Sequence, residues 1–136
     1  MTAREFLRQA LDIDSEIRAK QNQLELLRDQ AMRVASVMLG DKVQTSIKPD
    51  RLGDMIARIA DLSNAYADDV NRLTEVKKEI QAVINKTSRA IYRSVLTEKY
   101  INFKGWWDIS AATHYARQTL YRYHARAIKE IESHRE

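Results

Sequence analysis

The segment HYARQTLYRYHARAIKEIE, residues 114–132, places three tyrosines, three arginines, two histidines and a lysine within nineteen residues. Its apolar positions recur at steps of three and four, which is the spacing of one side of a helix. These positions are Leu120, Tyr123, Ala127 and Ile131. We therefore predict a helix that buries this side and exposes a basic, aromatic one. The exposed side would present Arg117, Gln118, Tyr121, Arg122 and Ala125.

The residues before this helix predict a helix-turn-helix. WWDISAAT (106–113) is typical of a short helix, and its small residues from Ser110 to Ala112 allow a second helix to approach closely. HYA (114–116) then forms a three-residue turn. A short helix, a tight turn and a longer basic helix form the arrangement in which the second helix enters the major groove of DNA.

Upstream of the short helix, residues 89–101 predict an amphipathic helix for which Ser88 is the expected cap. The segment NFKG (102–105) predicts the turn that follows. We expect one of the tandem tryptophans, Trp106 or Trp107, to anchor the core of this small region.

The chemistry of the exposed side of residues 117–132 matches the edges of DNA bases. In the major groove, arginine forms paired hydrogen bonds with guanine, and glutamine does so with adenine. The first turns of a recognition helix are the part that contacts bases. The predicted base-reading residues are Arg117, Gln118, Tyr121 and Arg122. The predicted contacts to the DNA backbone come from Lys104, Thr119, Arg126 and Lys129.

The charge distribution divides the chain into two parts. The formal net charge of the whole chain is +4. Residues 1–86 contain 14 basic and 14 acidic residues, whereas residues 87–136 contain nine and five. Eight of the ten aromatic residues lie between Tyr92 and Tyr123. A localised basic region is expected of a protein that binds a polyanion, although a solvated surface accounts equally well for the imbalance.

The neutral part begins with the pattern of a long helix. Thr2 and Glu5 fit a capping box that starts the helix. From Phe6 to Met38, alternating steps of four and three residues pass through ten positions, of which nine are apolar and Lys20 is the exception. Such a repeat is a coiled-coil seam, and a polar residue within it can set the register between two helices.

A second apolar stripe runs from Leu52 to Ile84 and includes Ile56 and Val70. Between the stripes, the segment 40–50 contains a glycine and the only proline, and predicts a loop with Val43 and Ile47 as its apolar residues. We predict an all-α fold, in which a long antiparallel helical hairpin precedes a small helix-turn-helix domain.

Both stripes are wider than a two-helix hairpin requires, which favours self-association. The apolar flanks expected to be exposed are Leu7, Leu11, Leu26 and Met55. We expect residues 1–86 to form an oligomerisation domain that makes a homodimer, and residues 87–136 to form a DNA-binding domain. The alternative is a monomer in which the second part covers the surplus apolar surface.

Residues 92–132, YRSVLTEKYINFKGWWDISAATHYARQTLYRYHARAIKEIE, resemble region four of primary sigma factors. More closely, they are similar to the phage late-gene transcription regulators of the ArpU/RinA type, whose shared motif matches KYINFKGWWDISAATHYARQTLYRYHARAI (99–128). The segment VQTSIKPDRLGDMIARIADL (43–62) is similar to the long-helix region of the same regulators. The resemblance implies binding to double-stranded DNA at or near promoters of phage packaging or lysis genes, and activation there. Host RNA polymerase is left open as a second partner. Ala116 departs from the pattern, because the regulators have a capping serine at that position.

No pattern in the sequence indicates an enzyme, a cofactor or a metal site. There is no cysteine, and the three histidines are ten residues apart. On one helix they would lie about 15 Å apart, too far to share a metal. We expect His124 to pack or to contact a phosphate. The polar start and the lack of a long apolar run predict a cytoplasmic protein of the bacterial host without membrane association.

Two other functions are compatible with the same patterns. A terminase small subunit, which packages phage DNA, also combines a helix-turn-helix with oligomerising helices and would assemble into a ring. A coiled-coil adaptor would bind RNA polymerase through the hairpin without reading DNA. The sequence specifies neither the DNA site nor the direction of regulation.

Overall fold

The computed structural model describes residues 1–40 and 49–135, apart from the side chain of Pro49. Within this part of the chain all regular structure is helical, which confirms the predicted all-α class. The five helices are α1 (Ala3–Leu39), α2 (Pro49–Ile84), α3 (Ala90–Tyr100), α4 (Trp106–Thr113) and α5 (Arg117–Arg135). Most of the predicted loop 40–50, including Val43 and Ile47, lies outside the described residues. Among the described residues, none of the five helices has the length and apolar composition of a membrane span.

The predicted capping box starts α1. The Thr2 backbone N–H donates to Glu5 Oε2 at 3.1 Å, and the Glu5 N–H donates to Thr2 Oγ1 at 3.2 Å. The Ala3 N–H donates to Glu132 Oε2 on α5 at 2.6 Å. Free N–H groups at a helix start need acceptors, and here one acceptor comes from a distant helix. The first turn of α1 is therefore bonded to the last turns of α5.

Contacts group the chain into two compact units, each of which contains part of both long helices. One unit comprises Met1–Asp14 and Arg72–Glu136, and the other comprises Ser15–Asn71. The predicted boundary after residue 86 falls within the first unit, in the turn between α2 and α3. The division into an oligomerisation domain and a DNA-binding domain stays a prediction.

The core of the first unit brings together the start of α1, the end of α2, α3 and α5. Its buried residues are Ala3, Leu7, Ala10, Ile80, Ile84, Tyr92, Leu96, Tyr100, Ala127 and Ile131. The expectation that Leu7 and Leu11 are exposed was wrong. Leu7 is completely buried and Leu11 packs against the same core, because the C-terminal helices cover the start of α1.

The expected cap of α3 was also wrong. The N-cap of this helix is Arg89, which makes no capping hydrogen bond with its side chain. Ser88 is instead bonded to Glu130 on α5: its N–H donates to Oε1 at 2.7 Å and its hydroxyl donates to Oε2 at 3.1 Å. The serine therefore stabilises a contact between helices rather than the start of one.

In the second unit, α1 and α2 pair in antiparallel fashion around a small core of Ala31, Val34 and Met55. Met55 was expected to be exposed and is buried, whereas Ile56 was expected in the seam and is 57% exposed. Adjacent residues of a helix point about 100° apart, so a one-residue change of phase exchanges the two. Leu26 is 59% exposed, as expected. Val70, expected in the second apolar stripe, is 38% exposed.

The polar position of the first seam has a partner on the second helix. Lys20 Nζ lies 2.6 Å from Asp69 Oδ2, and the two side chains are only 26% and 15% exposed. A partly buried pair of this kind favours one alignment of two helices, since any shift along the axis would leave both charges unpaired. The lysine that interrupts the apolar repeat thus helps to set the register of the hairpin.

Replacing Lys20 with alanine should lower the free energy of unfolding by about 1–2 kcal/mol, because Asp69 would keep a poorly hydrated charge without a partner. Lys78→Ala is the matched control, since Lys78 pairs with Glu75 at 3.4 Å and both side chains are about 70% exposed. The control should change stability by less than about 0.5 kcal/mol. Urea unfolding followed by circular dichroism measures both values. Equal losses in the two variants would contradict a role for the Lys20–Asp69 pair in the hairpin.

Candidate nucleic-acid interface

The helix-turn-helix has the boundaries that the sequence predicts: a helix over 106–113, a turn over 114–116 and a second helix from Arg117. His114 ends α4 in the left-handed region, with φ of 63°, and its N–H donates to the Ser110 carbonyl at 2.9 Å. The Ser110 hydroxyl donates to the Tyr115 carbonyl at 2.6 Å. Ser110 therefore bonds α4 to two residues of the turn, His114 and Tyr115, and this turn sets where α5 begins.

A small apolar core holds the two helices together. Val95 of α3, Ile109 of α4 and Leu120 of α5 are completely buried against one another. Trp106 packs against this group, whereas Trp107 is 71% exposed. Trp106 is therefore the tryptophan that anchors the core, which the sequence alone did not distinguish.

The packed side of α5 differs from its prediction at one position. The buried residues are Leu120, His124, Ala127 and Ile131, while Tyr123 is only partly buried. The next buried residue after Leu120 is four positions later, at His124, and not three positions later, at Tyr123. Tyr123 lies at the border of the packed side, where its ring centroid is 6.2 Å from that of Tyr92 and 5.5 Å from that of Tyr115.

The opposite side of α5 displays the four predicted base-reading residues, all of which are exposed: Arg117, Gln118, Tyr121 and Arg122. Three of them, Arg117, Gln118 and Tyr121, line an open hollow of about 430 Å³ together with Ser110 and Ala116. The hollow lies where the turn meets the first turn of α5. Arg122 is not part of its lining.

Two aromatic contacts shape the start of this surface. The Tyr121 ring meets Trp106 edge to face, with centroids 5.1 Å apart. The Arg117 guanidinium carbon lies 3.6 Å from the Trp107 ring centroid. The sequence pattern does not pair Trp107 with Arg117, because ten positions and a turn separate them.

The residues predicted to contact the DNA backbone are in different situations. Arg126 and Lys129 are exposed on α5. Thr119 is partly buried and accepts from Arg122 Nη2 at 3.5 Å. Lys104 Nζ lies 2.6 Å from Glu98 Oε2, and this contact holds the pKa of Glu98 below its usual range. A phosphate would have to compete with Glu98 for the Lys104 ammonium group.

Lys99 is a further basic residue beside the exposed side of α5, and it was not among the residues predicted from the sequence. Its ammonium group lies 5.1 Å from the Trp106 ring centroid, within the range of a cation–π contact. It belongs to α3, outside the helix-turn-helix pattern, so only the packing of α3 against α4 brings it beside the site.

His124 is buried and therefore packs rather than reaching a phosphate. Its Nε2 and the Tyr100 hydroxyl share a hydrogen bond of 2.6 Å, and the two rings stack. The Trp106 and His124 rings meet edge to face, with centroids 5.2 Å apart. Burial, with the positive charges of Arg4 and Lys99, lowers the pKa of His124 from 6.5 to about 4. Burial also raises the pKa of Tyr100. Both side chains are consequently neutral at pH 7.

Stability should decrease as the pH falls from about 6.5 to about 4. In this window the unfolded chain protonates His124 while the folded chain does not, so protons favour the unfolded state. The slope due to His124 should approach, at most, about 1.4 kcal/mol per pH unit. Chemical denaturation at a series of pH values measures it.

His124→Gln, which can keep a hydrogen bond to Tyr100 but does not titrate, should flatten the slope of stability against pH. His114→Gln is the matched control, because His114 is exposed, and it should retain the wild-type slope. An unchanged slope in the His124 variant would show that this imidazole does not titrate differently in the two states.

No group of three or more His, Asp or Glu residues in the described ranges 1–40 and 49–135 could hold a metal ion. Searches of curated proteins and of solved structures found no match. The family model described as "Protein of unknown function (DUF1492)" matches residues 33–132. This range contains 100 of the 136 residues, including all of α2, α3 and α4 and most of α5. The chain therefore belongs to the DUF1492 family of proteins of unknown function.

Proposed function

We propose that this protein binds double-stranded DNA in a sequence-specific manner and regulates transcription, with α5 as its recognition helix. One observation carries the proposal: Arg117, Gln118, Tyr121 and Arg122 are exposed together at the start of a helix whose other side is buried. This helix follows a short helix and a three-residue turn. These are the position and the side-chain chemistry that base readout in the major groove requires.

The charges around α5 support binding to a polyanion. Residues 104–129 contain five basic residues and one acidic residue, Asp108. Arg126 and Lys129 are exposed and available to phosphates on either side of the groove. In this proposal Thr119 and Lys104 also contact the backbone, the latter after leaving Glu98. The protein acts by binding, without a cofactor or a chemical step of its own.

The finer proposal is a phage regulator of the ArpU/RinA type that activates late packaging or lysis genes. Its support is the resemblance of residues 99–128 to the motif of these regulators and of residues 92–132 to region four of primary sigma factors. A sigma-like domain acts at promoters, so host RNA polymerase is the second partner in this proposal. The site of action is the cytoplasm of the bacterial host.

Alanine at Gln118 or at Arg122 should remove the contact of that residue with its base. Discrimination between a duplex selected by the wild type from a random pool and a scrambled duplex should fall by roughly 5- to 150-fold. Arg126→Ala and Lys129→Ala should weaken binding to both duplexes and reduce the salt slope by about one each. Fluorescence anisotropy measures the affinity of each of the four variants for both duplexes. Lys78→Ala, remote in the sequence and exposed, is the charge-matched control.

Two results would contradict DNA readout. Equal affinity of the wild type for selected and scrambled duplexes would show that binding is not sequence-specific. Absence of any gel shift at low salt would show that the protein does not bind DNA. It would favour an adaptor that binds RNA polymerase through the hairpin.

We also propose that the hairpin forms a homodimer. In the second unit several large apolar side chains remain exposed on α1 and α2. They are Leu26, Met32, Val37, Leu39, Ile56 and Val70. Burial of such side chains against a second copy is favourable by about 1.5–3 kcal/mol each when complete. A dimer would also present two recognition helices to two half-sites, as helix-turn-helix regulators do.

Glutamate at both Leu26 and Ile56 should convert the dimer to a monomer without loss of helix content, because these side chains are exposed within one chain. Light scattering at micromolar concentration measures the mass, and circular dichroism measures the helix content. Gln23→Glu, an exposed polar position of α1, is the control and should remain dimeric. A monomeric wild type would contradict the proposal, and a ring in native mass spectrometry would favour the DNA-packaging function.

A further inference from the structure

Trp107 is largely exposed to solvent, although its side chain is large and mostly apolar. It is 71% exposed at the start of α4, while the adjacent Trp106 packs into the core. An indole left in water forgoes the burial that normally stabilises a protein through this side chain. Trp107 is therefore not explained by the packing of the helix-turn-helix.

The contact that Trp107 makes is with the first residue of the recognition helix. The Arg117 guanidinium carbon lies 3.6 Å from the ring centroid, well inside the range of about 6 Å over which cation–π contacts act. The guanidinium carbon thus lies over the face of the indole ring. Stacking uses the face of the guanidinium and leaves its in-plane N–H donors free for hydrogen bonds.

The backbone holds the two partners in place. Trp107 is in the first turn of α4 and Arg117 begins α5, and the turn between them is tied by the two hydrogen bonds at Ser110. Within residues 1–40 and 49–135, no carboxylate forms an ion pair with Arg117. The guanidinium thus contacts an aromatic face, and no acid of the described residues neutralises it.

From this geometry we infer that Trp107 is a positioning residue for Arg117, and that the pair reads one guanine in the major groove. The inference rests on the proposed DNA-binding function. Arginine reads guanine through two parallel hydrogen bonds to O6 and N7, which require a defined plane and direction of the guanidinium. A free arginine side chain loses rotamer entropy when it is fixed in this way. The indole fixes part of that freedom before DNA arrives, which favours binding.

The test uses the full chain and the duplex that the wild type selects from a random pool, together with copies in which each base pair is changed in turn. Trp107→Ala and Trp107→Leu should lower discrimination at a single G·C pair by about 2- to 5-fold, with little change at other positions. Trp107→Phe keeps an aromatic face and should retain most of the discrimination. Because Trp107 is exposed, the thermal unfolding midpoints of these variants should stay close to that of the wild type.

Arg117→Lys identifies the base pair concerned. It keeps the charge and loses the planar fork, so it should lower discrimination at the same G·C pair by about tenfold. Adding Trp107→Ala to Arg117→Lys should have little further effect, since the residue that Trp107 positions is gone. This double-mutant cycle distinguishes positioning from an independent contact of Trp107 with DNA.

Three results would overturn the inference while leaving specific DNA binding intact. The first is unchanged discrimination in Trp107→Ala. The second is tighter DNA binding by this variant, which would mean that the indole withholds Arg117 from DNA. The third is an equal loss of discrimination at every base pair. Equal affinity of the wild type for all duplexes would overturn the proposed function as well. If Trp107→Ala does not fold, Trp107→Leu and Trp107→Phe still distinguish an aromatic face from simple apolar bulk.

Discussion

Burial along one side of α5 is the constraint on which the rest of the candidate interface depends. Leu120 packs with Val95 and Ile109 in one small core, while Ala127 and Ile131 join the core that contains the start of α1 and the end of α2. A helix held at both ends of its packed side cannot rotate about its axis. Its opposite side is therefore presented in one orientation, and the basic residues at its start stand together because of apolar contacts on the far side.

Polar groups join the same assembly through contacts between distant parts of the chain. The carboxylates of Glu130 and Glu132 on α5 accept hydrogen bonds from Ser88 and from the start of α1. His124 is tolerated in the buried side because Tyr100 supplies its hydrogen bond and because it stays neutral. The interface thus belongs to a unit that includes the first turns of the chain and not only its last 50 residues.

Much of this arrangement could be predicted because the signals are local. Each signal lies within a few residues of the structure that it specifies. The signals are the glycine before Trp106, the small residues from Ser110 to Ala112 and the apolar repeat that starts at Leu120. The predicted bounds of α4 and of the turn after it are the observed ones. Errors arose where two adjacent residues competed for one buried position, as with Met55 and Ile56, or Tyr123 and His124. A helical pattern of 3.6 residues per turn tolerates either choice, and only the position of the partner helix decides between them.

The sequence by itself determined the helical class, the helix-turn-helix and the identity of the exposed basic residues at the start of α5, because periodicity and turn chemistry are properties of neighbouring residues. Tertiary structure alone decided which tryptophan is buried, why Lys20 is accepted in an apolar seam, and that the indole of Trp107 lies against the Arg117 guanidinium. Each of these depends on a distance between residues far apart in the chain or separated by a turn. Such distances follow from how the helices pack, and composition and spacing do not contain them.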